Sequence, residues 1–184
     1  ARGAQAGPGL QGSGAGAGGR IIMPWSAIFT LTNVVAFVCW AMLAFLPRRA
    51  FVNSAVLYAG VGLLCLVYAA MFVALFGGLA DPLRVSGAAE PDLTNYSIEG
   101  LRALFMSDGG IVLGWTHYLA FDLFVGLWVA RDADSKGFSR LVQLPVLFLV
   151  LMAGPIGLLV WLVVRERRAR SARGRARRRQ RRHH

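Results

Sequence analysis

His117, Tyr118 and Asp122 stand together in the stretch Gly114 to Leu123, which reads GWTHYLAFDL. An imidazole, a phenol and a carboxyl within six residues of an otherwise apolar segment are groups that can move protons. Taking the carboxyl and the imidazole out of water disfavours the charged form of each. What remains is a protonated acid beside a neutral base, the two halves of general acid–base catalysis near neutral pH. The competing reading is that both groups are hydrogen-bonding glue between helices.

Helical spacing orders these groups. Asp122 and Tyr118 are i, i+4 neighbours on one face, so the phenol can donate to the carboxylate. Trp115 and Gly126 fall on the same stripe. His117 lies about 140° around the helix from Asp122, in line with Gly114, Phe121 and Trp128. Chemistry shared by His117 and Asp122 therefore needs a substrate, or another helix, to bridge them. A charge at this depth in a membrane costs at least about 2.5–3.5 kcal/mol on insertion scales, so such residues face the bundle interior.

The elements that carry them are membrane spans. Charged residues make up 16% of the 184, below the quarter or so typical of soluble domains, and apolar residues 56%, which argues against a soluble enzyme. Four windows meet the spanning criterion of about 20 apolar residues with few charges. They run from about Met23 to Leu46, Val52 to Phe76, Gly109 to Ala130 and Leu141 to Val164. Short links make spans one and two a hairpin, and spans three and four a second. In the longer loop between them, Asp81-Pro82 and Glu90-Pro91-Asp92 are turn signals. Ile98, Leu101, Leu104 and Phe105 recur there at helical spacing, as in a short helix lying on the membrane surface. The expected fold is all-α: a polytopic membrane protein with four transmembrane helices as two hairpins plus a short interfacial helix.

Charge divides the chain into parts. The formal net charge is +11, and the segment Arg165 to His184 holds 11 Arg and one Glu, which leaves the preceding 164 residues at +1. The expected division is a disordered Gly/Ala-rich segment (1–22), a four-helix membrane domain (23–164) and an Arg-rich disordered tail (165–184). The first part is acid-free and contains Arg, as in a transit-peptide remnant, although Ser is sparse. The tail lacks interleaved aromatics, which argues against specific nucleic-acid recognition. It fits a topology anchor in contact with anionic lipid. Four crossings would put both termini on one face, cytoplasmic or stromal by the Arg cluster, and leave Arg48, Arg49, Arg131, Lys136 and Arg140 on the other.

Cys39 and Cys65 differ in depth by about 9 Å along their helices, too far for a disulfide. A bis-His haem site, a zinc cluster, a P-loop and a dinucleotide fingerprint are all missing. One His can still ligate a chlorophyll magnesium. Asn33, Asn53, Ser54, Tyr58 and Tyr68 are further polar groups for the bundle interior. Gly60 and Gly62 permit close helix approach, and Pro155 between Gly154 and Gly157 predicts a kink.

The block GWTHYLAFDLFVGLW, Gly114 to Trp128, resembles the abscisic-acid-deficient-four-like (neoxanthin-synthase-related) integral membrane family. The likeness extends to Leu46-Pro47-Arg48-Arg49, to Glu99 through Phe105, to Arg131-Asp132 and to Gly154-Pro155-x-Gly157-Leu158-Leu159. It covers about Ala27 to Arg165. Leu127 stands where relatives often carry Arg, so no charge role falls there. The resemblance implies a plastid membrane protein that isomerises an epoxy-carotenoid, violaxanthin, to the allenic neoxanthin. That reaction needs an acid at the epoxide oxygen and a base at C7, and no redox cofactor. On this reading protonated Asp122, assisted by Tyr118, is the acid and His117 the base, while Trp115, Phe121 and Trp128 line the apolar substrate. The alternative is a non-catalytic pigment-binding or assembly subunit of a photosynthetic membrane complex.

Overall fold

The computed structural model describes residues 20–47, 49–87, 94–95 and 97–180, with only the backbone described at 169 and 171–180. The expected Gly/Ala-rich segment up to residue 19, Arg48 and the Glu90-Pro91-Asp92 turn lie outside the described residues.

The chain is all-α. In order come a two-residue strand β1 (Ile21–Ile22), α1 (Trp25–Phe45), α2 (Ala50–Ala55), a π-helical segment (Val56–Gly62), α3 (Leu63–Phe76), β2 (Ala80–Asp81), α4 (Ile98–Phe105), α5 (Asp108–Ser135) and α6 (Arg140–Gln180). The segment from α2 to α3 is one continuous helix, so four helices are long and apolar enough to cross a membrane. Apolar residues all round a helix, rather than a stripe, are what a lipid environment selects. The short α4 has Ile98, Leu101 and Phe105 exposed, as expected of a helix lying at the membrane surface.

Helix α5 is the hub. Its apolar window is 56% buried, against 22–33% for the other three, and it packs on α1, α3, the π-helical segment and α6. Two glycines let backbones approach: a Cβ on Gly126 of α5 would sit 2.4 Å from the Trp40 ring, and one on Gly60 would sit 2.6 Å from Cys39 Sγ. A Cβ on Gly62 would make only ordinary contact, 3.5 Å from the Leu57 carbonyl oxygen of its own helix. Both cysteines are free, Cys39 buried and Cys65 exposed.

Local chemistry sets the ends of α5. The Ser107 hydroxyl accepts from the Gly110 N–H at 3.1 Å, and Asp108 places a negative charge in the first turn. At the other end Gly137 adopts φ +64°, and Gly137 N–H and Phe138 N–H donate to Asp134 and Ala133 carbonyls at 3.0 Å. That is the Schellman pattern, in which a left-handed glycine stops the helix. The short turn delivers Arg140, whose guanidinium donates to the Leu43, Ala44 and Leu46 carbonyls and so satisfies the open C-terminal end of α1. At the opposite face of the bundle, β1 pairs in parallel with β2, and Trp25 Nε1 donates to the Asp81 carbonyl at 2.9 Å.

The fourth apolar helix departs from a straight crossing. Ala153 has φ −155° and ψ 70°, which breaks α6 into arms of residues 140–152 and 154–180. A Cβ on Gly157 would lie 2.3 Å from the Val150 amide nitrogen, although a straight helix separates residues seven apart by about 10 Å. Trp161 packs edge-on against Phe138 with ring centroids 5.0 Å apart, and Arg168 donates to the Gly137 carbonyl at 3.0 Å. The second arm therefore returns beside the start of the first. It runs parallel to α5, with Gly154 beside Asp122 and Trp161 beside Asp132.

This fold-back corrects the expected topology. The Arg-rich segment leaves on the face that carries the two short links, Arg49, Arg131, Lys136 and Arg140, and not on the face of the N-terminal strand. Of the basic residues that the sequence reading divided between two faces, the described ones gather on one. The other face carries Asp81, Glu99 and Asp108 together with Arg84 and Arg102. The backbone of the segment expected to be disordered from Arg165 onward is helical to Gln180, and residues 181–184 lie outside the described residues.

Candidate functional site: an intramembrane carboxyl at the fold-back

Pro155 has no N–H, so the carbonyl four residues earlier, Leu151, loses its helical partner. The Tyr118 hydroxyl donates to that carbonyl at 3.4 Å. Away from water such a group must find a partner inside the protein, which is the condition for broken helices at membrane depth. Tyr118 also lies directly beside the Asp122 carboxyl, as i, i+4 spacing requires.

Asp122 is 8% exposed, and its Oδ2 is buried with no hydrogen-bond partner. Its other face meets the turn of α6: a Cβ on Gly154 would lie 2.1 Å from Asp122 Oδ1 and 2.8 Å from its carboxyl carbon. Only glycine at 154 lets the hairpin tip close over the carboxyl. The site thus joins a phenol, a carboxyl with one free oxygen and a broken backbone.

His117 is elsewhere. It is exposed on the outside of the bundle, stacked on Phe121 at 4.5 Å and tilted against Tyr68 at 5.5 Å. The structure does not bring it to Asp122. Trp115 packs on Tyr118 at 5.3 Å, its Nε1 donating to Asn33 Oδ1 at 3.1 Å. Trp128 lies under the Arg165 guanidinium at 5.6 Å, about 9 Å further along the helix axis than Asp122. Among the expected interior polar groups, Asn33 and Tyr68 thus touch this region. Tyr58 is 73% exposed, and Asn53 and Ser54 sit near the end of α5 beside Arg131.

An apolar groove of about 400 Å³ between α1 and the first arm of α6, lined by Phe37, Trp40, Phe45, Leu147 and Phe148 among others, ends at Leu151. Sequence reading missed the roles of Gly154 and Leu151. The proline-to-carbonyl offset was a readable signal for Leu151, but nothing local tied Gly154 to Asp122. Among the described residues no three His, Cys, Asp or Glu side chains gather as a metal site.

An all-α bundle of four apolar helices around a buried carboxyl defines a multi-pass membrane protein with an intramembrane acid. The ABA DEFICIENT 4-like family model matches residues 27–161, and the chain belongs to that family. No curated protein and no solved structure matches it. Membership is consistent with a carotenoid- and abscisic-acid-related role.

Proposed function

We propose that the chain is a carotenoid epoxide isomerase of a plastid membrane, converting violaxanthin to neoxanthin, with Asp122 as the acid. The carrying observation is the free, buried Oδ2 of Asp122 at the fold-back. A carboxyl with an unused oxygen can, in its protonated form, give a proton to an ether oxygen. A long apolar substrate reaches it through the bilayer.

The reaction balances as an isomerisation. Asp122 protonates the epoxide oxygen while the C6–O bond breaks, and the oxygen stays on C5 as a hydroxyl. A base removes the proton from C7. The new C6=C7 double bond beside the existing C7=C8 makes the allene, and the proton returns from the base to the carboxylate. Tyr118 orients the carboxyl. In the base role His117 must leave its stack on Phe121 once the substrate ring is seated, with Trp115, Phe121 and Trp128 along the polyene.

The separation of His117 from Asp122 favours a second reading, in which the chain holds a pigment without turning it over. Pigment analysis of a violaxanthin-making host, with and without the chain, separates the two. Neoxanthin that appears with the wild type and disappears in Asp122→Asn supports the isomerase. Violaxanthin copurifying at fixed stoichiometry with no neoxanthin supports the binding protein. Activity lost in Asp122→Asn but kept in His117→Ala would place both proton transfers on the carboxyl.

A further inference from the structure

Two adjoining cavities open between the second long helix and α5 at the basic face, of about 420 and 480 Å³, and share Leu57 and Arg131. One has an apolar floor of Leu57, Phe124 and Leu127. The other is rimmed by Asn53, Ser54 and Tyr58.

The charges there are unevenly matched. Asp132 is occupied on both oxygens, by Lys136 on Oδ1 and by Trp161 and Arg165 on Oδ2 at 3.0 and 3.4 Å. Arg140 and Arg168 hold backbone carbonyls, and Arg170 holds Glu166. Arg131, exposed at the mouth of both cavities, has no partner among the described residues. Asn53 Oδ1 is buried and also has none. So one wall offers a free guanidinium, which wants an anion, and the other a polar rim of Asn53, Ser54 and Tyr58, which can exchange hydrogen bonds with a hydroxyl.

Depth selects the ligand. Arg131 is nine residues beyond Asp122, about 13–14 Å along the helix, which is near half the thickness of a bilayer's hydrocarbon core. With Asp122 at mid-membrane, Arg131 stands at the headgroup level. Below it the apolar floor faces the acyl region.

We propose that this groove binds one anionic phospholipid whose headgroup carries both a phosphate diester and a free hydroxyl. The phosphate pairs with Arg131, the hydroxyl meets the polar rim of Asn53, Ser54 and Tyr58, and an acyl chain lies along Leu57, Phe124 and Leu127. The site is separate from the Arg-rich segment beyond Arg165 and does not rest on the carotenoid reading.

The test is native mass spectrometry of the full chain in detergent, titrated with phosphatidylglycerol or phosphatidylcholine. The expected result is one phosphatidylglycerol retained in preference to phosphatidylcholine. Arg131→Gln should weaken retention about tenfold or more, the usual scale for a lost hydrogen bond to a charged group. Asn53→Ala should weaken it less, and Arg167→Gln with Arg170→Gln should leave it unchanged. Equal retention by Arg131→Gln, or loss confined to the Arg167/Arg170 variant, would overturn the proposal. Displacement by free glycerol phosphate as readily as by the lipid would make it a soluble-anion site, and would overturn it too.

Discussion

Replacing Gly154 by alanine adds one methyl group where the structure has no room. The added carbon would stand 2.1 Å from Asp122 Oδ1, 2.8 Å from Cγ and 3.0 Å from Oδ2. Ordinary carbon–oxygen contact begins near 3.4 Å, so either the carboxyl or the hairpin tip must move by more than 1 Å. The carboxyl is short and 8% exposed, with Tyr118 at its side, so it has little freedom to turn away. Overpacking of this kind costs about 1–3 kcal/mol. For a chain of this size that is a fall of about 2–12 °C in the unfolding midpoint. A 1 Å displacement of a reacting group costs about 100-fold in rate, so the isomerase reading predicts a matching loss of product. Thermal unfolding in detergent and pigment turnover in the violaxanthin-making host measure the two effects. Gly62→Ala is the control, because its nearest atom is the Leu57 carbonyl oxygen at 3.5 Å. If Gly154→Ala melts and works like the wild type, the fold-back does not close on Asp122 and the site geometry is wrong.

Three further outcomes follow from the same geometry. Asp122→Asn removes a carboxyl whose Oδ2 has no partner, so the melting point should hold or rise while product falls below detection; a large loss of stability would mark Asp122 as structural glue. Tyr118→Phe leaves the Leu151 carbonyl without a donor and should cost about 1 kcal/mol in thermal unfolding, whereas an unchanged melting point would show that the bond contributes nothing. Membrane-impermeant labelling of single cysteines should place the Arg49 link and the Arg170 region on one face and the Ile21 region on the other. Labelling of Ile21 and Arg170 positions from the same side would refute the fold-back.

Much of this was legible without coordinates. Long uncharged runs locate four apolar helices because each residue in lipid must be apolar whatever its neighbours are. Spacing of 3.6 residues put Tyr118 beside Asp122 and His117 on another face, since those relations are internal to one helix. The motif around His117 and Asp122 carried the family. The short links and the surface helix Ile98–Phe105 are local features of the same kind.

The direction of the last helix was not legible. A run from Leu141 to Val164 has the length of a span, and hydropathy counts residues without recording which way the chain points. Pro155 announced a disturbance, but proline alone usually bends a helix rather than reversing it. The reversal depends on contacts far apart in sequence: Gly154 against Asp122, Leu151 on Tyr118, and Trp161 and Arg165 on Asp132. The sequence by itself determined the materials, namely apolar helices, a conspicuous carboxyl and a cluster of arginines. Only the tertiary structure decided that the break in the last helix packs against the carboxyl and that the described residues of the arginine cluster share a face with the two short links. Periodicity sees one helix at a time, and the packing energy that chose this arrangement lies between helices.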